Sequence, residues 1–315
     1  MNIKLKLILL IGITCIINGC SSETQKPLKI ASNSWIGYES LYVIEELDLM
    51  ENKIQVTRKN NATEVMALFE NGEVDAAGLT LDEAMTVLSR SKRDFVFASI
   101  MDISSGADQL LANKGISKIS DLKGKRIAVE MTALGRLILN SALTDANLTT
   151  DDIYVLNETV DKHSELLSKG EIDAAISFPP FTEELKMLGM KKLYDSSQMQ
   201  RAPIIDLLIV GKDVLDEKRG ALTELVQKIY RINELLIKQE PQVFKIVGKN
   251  LGIPPEKQLS MTEGVELVTP NMNSIYINRY KLEATMIILE EVMLKNKLLD
   301  KAVSDKISPD MFVRF

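Results

Sequence analysis

Gly72-Glu73-Val74-Asp75-Ala76-Ala77 returns almost unchanged as Gly170-Glu171-Ile172-Asp173-Ala174-Ala175, 98 residues further along the chain. In both copies a helical pattern precedes the glycine and an apolar run follows it. Glycine suits the left-handed residue that ends a helix, and paired alanines let a helix lie close on a sheet. A second echo, Lys29-Ile30-Ala31 and Arg126-Ile127-Ala128, stands 97 residues apart, each at the start of an apolar run. Two matches in nearly one register predict a βα design used twice, with a separate sheet in each half.

Around these anchors, short apolar runs predict strands over 28–31, 54–57, 74–79, 95–101, 109–112, 126–129, 153–156, 172–177 and 205–210. Three- and four-residue apolar spacing predicts helices over 40–49, 62–70, 81–89, 134–143, 160–168 and 182–188. Beyond 210 the pattern reads as helical throughout, over 222–238, 242–251, 255–262 and 280–295. Strands alternating with helices imply an α/β protein of two lobes, each a mostly parallel sheet flanked by helices. The expected division is 28–103 plus 207–315 for the first lobe and 104–206 for the second. The chain then crosses twice, and the crossings form a two-strand hinge.

Composition agrees with an ordinary soluble globule, 45% apolar and 26% charged. Its N-terminus has a separate character. Lys4 and Lys6 precede an apolar run over 7–13, and the stretch closes on Gly19-Cys20. That order reads as a secretory signal over 1–19, too short to span a membrane. The junction resembles a bacterial lipobox, which makes Cys20 the site of lipidation and 20–27 a polar tether. Cys15 lies inside the signal, so the mature chain has no partner for a disulfide. Removing the signal leaves 36 basic against 44 acidic residues. Such a balance argues against a nucleic-acid partner.

In open α/β sheets, ligands bind beyond the carboxyl ends of the strands. The loops so placed nominate Ser34, Trp35, Gly37 and Tyr38 after the first strand, then Thr80 and Asp82 after the third. Asp102, Asp108, Glu130, Thr132, Phe178 and the strand residue Asp206 complete the set. Thr80 and Glu83 fit a helix capping box, which leaves Asp82 as the stronger ligand candidate of that turn. Trp35, the single tryptophan, can stack on a flat solute or face a cation. The acidic residues favour a cationic or hydrogen-bond-donating solute, because buried charge must be paired. Catalysis finds no footing: His163 is the only histidine, and no His or Cys cluster suits zinc. The reading is therefore not an enzyme, with no cofactor and no metal.

The runs Ala31-Ser32-Asn33-Ser34-Trp35-Ile36-Gly37-Tyr38-Glu39 and Asp121-Leu122-Lys123-Gly124-Lys125-Arg126-Ile127-Ala128-Val129-Glu130, with the two repeat copies, resemble one group. It is the nitrate/taurine/thiamine-precursor group of ABC-transporter solute-binding proteins, and the resemblance covers about residues 28 to 210. It implies a two-lobed periplasmic-binding-protein fold of the second type, a monomer that closes over a small-molecule solute and delivers it to an ABC permease and ATPase. It also implies that Trp35, Gly37, Tyr38, Thr80, Thr132 and Phe178 line the cleft. The chain departs from the nitrate binders in lacking an evident basic partner for an oxyanion. An alternative role is a solute-sensing lipoprotein that docks on a membrane sensor kinase or cyclase. Either role places the protein outside the cytoplasmic membrane, held to it by a lipid anchor.

Overall fold

Both repeat glycines adopt the left-handed backbone that the motif predicts, Gly72 at φ 72° and Gly170 at φ 68°. The computed structural model describes residues 26–199, 203–255, 258, 261–278 and 281–313. The expected signal and the lipidation site Cys20 lie outside the described residues.

In chain order the main elements of the first half are β1 (Leu28–Asn33), α1 (Glu39–Glu46), β2 (Ile54–Lys59), α2 (Ala62–Glu70), β3 (Ala76–Thr80), α3 (Leu81–Arg90), β4 (Phe95–Ser104) and β5 (Gln109–Ala112). Next come β6 (Arg126–Val129), α4 (Ala133–Asp145), β7 (Tyr154–Asn157), α5 (His163–Ser168), β8 (Ala174–Ser177), α6 (Phe181–Met187) and β9 (Lys191–Asp195). The chain finishes with β10 (Ile204–Gly211), α7 (Lys212–Ile237), α8 (Pro241–Asn250), β11 (Val265–Leu267), α9 (Pro270–Asn278) and α10 (Lys281–Lys295).

Two sheets result. The first has the order β11-β4-β10-β3-β1-β2 and the second β7-β6-β8-β5-β9. Each contains a parallel trio, β2-β1-β3 in one and β7-β6-β8 in the other. The remaining pairs are antiparallel, so the sheets are mixed where strand–helix alternation alone suggested mostly parallel ones. The cause is the return of the chain: β10 re-enters the first sheet between β3 and β4, running against both. All eight residues of β10 and all ten of β4 are buried, so these strands form the centre of the first core.

The sequence echo is a hydrogen-bonding device. Asp75 Oδ2 accepts the amide of Lys29 at 2.9 Å, while the Asp75 amide donates to the Lys29 carbonyl at 2.8 Å. Asp173 Oδ2 accepts the amide of Arg126 at 2.9 Å, and its own amide donates to the Arg126 carbonyl at 2.8 Å. The same register follows in each trio, Ile30 beside Ala76 and Ile127 beside Ala174. A one-residue slip would turn every side chain to the wrong face, so this lock determines which residues reach the strand exits.

Three elements escaped the sequence pattern. β9 opens with two exposed lysines on an edge strand, where a charged face hides the apolar alternation. β11 is three residues long and interrupts the stretch that reads as wholly helical, and α9 lies just after it. Helix α7 begins ten residues before the expected 222, because its first turns are charged and its buried stripe is continuous only from Leu222. Of the helix expected over 255–262, part lies outside the described residues, and Met261 and Thr262 stand in a turn.

The chain passes between the sheets through Ser105–Asp108 and returns through the segment after β9. These crossings are tied together: Ser196 Oγ accepts the amide of Gly106 at 2.7 Å and lies 3.1 Å from Ser104 Oγ, and the Ser196 amide donates to the Asp108 carbonyl at 2.9 Å. Gly106 sits at φ 118°, a conformation that side chains resist.

Asp75→Ala and Asp173→Ala should each destabilise the protein by about 1 kcal/mol per hydrogen bond lost. Urea unfolding followed by circular dichroism measures this, and midpoints equal to wild type would show that the register is held by packing alone.

Candidate functional site

The exits of both parallel trios converge on one cavity, about 550 Å³ when the open solvent at its mouth is included. β1 delivers Trp35 and Tyr38, β3 ends on Thr80, β6 leads to Glu130 and Thr132, and β8 leads to Phe178; all of these line the cavity. Asp108 enters from the first crossing and Asp206 from β10. Of the residues nominated from sequence, Ser34, Gly37, Asp82 and Asp102 do not line it.

The excluded residues have definite places. Asp102 is fully buried and accepts the Trp35 indole N–H, with Nε1 at 3.1 and 3.2 Å from its two oxygens. A Cβ on Gly37 would lie 1.5 Å from Asp102 Oδ2, so glycine is the residue that lets the tryptophan loop close over this carboxylate. Tyr38 lies flat on Gly78, where a Cβ would come within 2.8 Å of the ring, and its hydroxyl donates to Asp206 Oδ1 at 2.5 Å. Asp206 faces Asp102 across the β10–β4 pair and Thr80 across the β10–β3 pair. The antiparallel return of β10 thus assembles two carboxylates that are 104 positions apart in sequence.

In the turn after β3 the structure reverses the expected division of labour. Glu83 Oε2 accepts the amide of Thr80 at 3.1 Å, as a capping residue does, and the same side chain lines the cavity. Asp82 is buried beside it without lining the cavity. The capping pattern was legible in sequence, but it did not reveal that a cap can also be a wall. Thr132 Oγ1 accepts the amide of Gly135 at 3.3 Å and so caps α4 while facing the cavity. Also missed were Asn33, Ser177 and the aliphatic lining from Leu134, Ile138 and Ile176.

The two sheets touch across this space. The Trp35 and Phe178 rings meet edge to face, centroids 5.6 Å apart, and Phe178 repeats that contact with Phe181. Glu130 Oε1, at the end of β6, accepts both the amide and the hydroxyl of Thr63 at 3.2 and 2.9 Å. Thr63 lies in the first turn of α2, where amides lack helical partners and the helix dipole favours a carboxylate.

Electrostatically the cavity is one-sided. Glu83, Asp108, Glu130 and Asp206 line it, and among the described residues no lysine, arginine or histidine does. Elsewhere the fold pairs its buried acid: Glu39 meets Arg58 at 2.5 Å, and that guanidinium lies over the Tyr42 ring. Burial pushes Asp108 up to about 6, Asp82 to about 7 and Asp102 to about 8. Asp206 and Glu83 are held well above the usual carboxylate range, by burial first and then by repulsion from Asp102 and Asp82 respectively. Burial also raises Glu130. His163 lies away from the cavity, Nε2 3.2 Å from the Glu158 carbonyl, and burial pushes it down to about 4. Among the described residues no cluster of His, Cys, Asp and Glu is arranged to hold a metal ion, and no helix is long and apolar enough to cross a membrane.

The sequence pattern of the family described as "NMT1/THI5 like" matches residues 47–242. The chain belongs to that family. This chain is 25% identical over 176 residues to the taurine-binding periplasmic protein of Escherichia coli (strain K12), a match covering 53% of this chain and 55% of that one. It thus spans about half the length of such relatives. Among solved structures, the alkanesulfonate-binding protein SsuA from Xanthomonas axonopodis pv. citri, bound to MOPS, superposes with a TM-score of 0.70 at 17% identity, over 88% of this chain and 95% of that chain. The desulfurization enzyme DSZB superposes at 0.62 with 14% identity, over 90% and 97% of the two chains. The fold is therefore the two-lobed one of periplasmic binding proteins, and it is a fold that also carries an enzyme.

The raised carboxyl groups make a prediction opposite to the common acid-denaturation trend. A carboxyl whose folded pKa is raised favours folding most below its unfolded pKa, and the contribution is lost as pH rises through the folded value. Without solute, stability should fall between about pH 5 and 8, each titrating group contributing up to about 1.4 kcal/mol per pH unit. Melting temperatures that rise or stay level over this range would contradict the buried, unpaired state of these acids.

Proposed function

We propose that the protein is the extracytoplasmic solute-binding component of an ABC importer, and that its cleft captures a small amine-bearing cation. The family and the two-lobed fold support the receptor role. A single observation carries the choice of solute: acidic side chains reach one cavity from both sheets, and among the described residues none of its lining is basic. Buried carboxylates that lack a cationic partner leave a desolvation cost that an entering cation offsets. A sulfonate, the kind of solute named for SsuA, would meet like charge here and find no guanidinium or ammonium among the described lining residues to pair with. Trp35, Tyr38 and Phe178 supply aromatic faces or edges beside the acids, which suits an organic cation. Delivery goes to a permease and its ATPase, and Cys20 holds the protein to the outer face of the membrane by its lipid.

Calorimetric titration with a panel of organic ammonium ions and alkanesulfonates tests the assignment. At least one ammonium compound should bind, and Trp35→Ala should weaken it by about tenfold, the equivalent of a cation–π contact of about 1.4 kcal/mol. Asp206→Asn should weaken it as well. Binding of sulfonates with no response to any amine would overturn the cationic reading. For the anchor, Cys20→Ser should move the protein from the membrane fraction to the soluble extracytoplasmic fraction; a variant that still sediments with membranes would remove Cys20 from that role.

A further inference from the structure

The acids of the cavity do not gather at one point. Asp206 stands on β10 with Asp102 directly across on β4, and Asp108 follows on the crossing segment just beyond β4. Glu130 belongs to the other sheet, at the exit of β6, and its carboxylate reaches over to Thr63 at the start of α2. Two acidic poles therefore face one space from different lobes. The wall shared with them is hydrocarbon, with Leu134 and Ile138 from α4 and Ile176 from β8. Ser177 Oγ, 1% exposed, lines the same cavity and has no hydrogen-bond partner. A buried hydroxyl left so is a position reserved for a ligand's polar group.

Resting on the cationic reading above, we propose that the solute is a short linear diamine, with one ammonium group at the Asp108–Asp206 pole, the other at Glu130, and its alkyl chain against the aliphatic wall. One ammonium group would neutralise one pole and leave the other carboxylate buried without a counter-charge, which is the costly case for a buried ion. Two groups joined by a methylene chain serve both poles and bury apolar area between them, at about 0.8 kcal/mol for each methylene. Because the poles lie on different lobes, such a solute also draws the lobes together, and closure becomes part of its recognition. Burial raises Asp206, Glu83 and, to about 6, Asp108, and an ammonium group placed beside them favours their ionised form.

The test compares 1,4-diaminobutane with n-butylamine and 1-butanesulfonate by calorimetric titration of the full protein. The diamine should bind about tenfold or more tightly than the monoamine. Glu130→Gln, which keeps an acceptor for Thr63 but removes the charge, should reduce diamine affinity to the monoamine level while changing the monoamine by about twofold or less. Asp108→Asn should do the same from the other pole, and it serves as the second variant should the first fail to fold. Equal affinity of the two amines for the wild type would overturn the diamine assignment and leave the cationic reading standing. If the sulfonate alone binds, or neither amine binds, both readings fall together.

Discussion

An aspartate that takes an amide at the start of its neighbouring strand, the first or the second, sets the geometry of everything downstream in this protein. Asp75 does so for Lys29 and Asp173 for Arg126, with the same pair of bonds in both sheets. Once that register holds, the strands of each parallel trio end at matching heights, and the loops that follow emerge toward the other sheet. The left-handed glycines before the aspartates let the preceding helices stop in time for the strands to begin. The cleft is the consequence of two such units placed face to face.

What the fold does with the cleft is unusual in its charge. Antiparallel return of β10 brings Asp206 beside Asp102, and the glycine at position 37 lets the tryptophan loop settle on Asp102. Stacking of Tyr38 on Gly78 then aims its hydroxyl at Asp206. The result is a layer of acids beside aromatic rings, supported by hydrogen bonds from neutral donors and, among the described residues, without a basic side chain. Arg58 shows that the chain does place a guanidinium beside a buried acid elsewhere. Among the described residues no such side chain lines the cavity.

Much of the site was legible before the coordinates. The rule that α/β sheets bind at their carboxyl edges pointed to Trp35, Tyr38, Thr80, Glu130, Thr132 and Phe178, all of which line the cavity. Reading fails where one residue serves two masters. Glu83 has the spacing of a helix cap, and that sufficient local explanation concealed its place in the wall. Asp82 and Glu83 are neighbours in sequence, and only the direction in which α3 leaves the sheet decides which of them faces the cavity. Ser177 carried no motif at all, and its unpartnered hydroxyl becomes visible only when its surroundings are known.

The amino-acid sequence by itself determined the duplicated βα unit, the α/β class and the loops that supply much of the cavity lining, since each depends on local periodicity, turn chemistry and hydrogen bonding within a few tens of residues. Tertiary structure alone decided the mixed direction of the sheets, the pairing of Asp102 with Asp206, and the reach of Glu130 to Thr63. Those features join positions tens to a hundred residues apart. Local preference is silent about them, because their energies come from burial and from charges brought together only when both halves are folded.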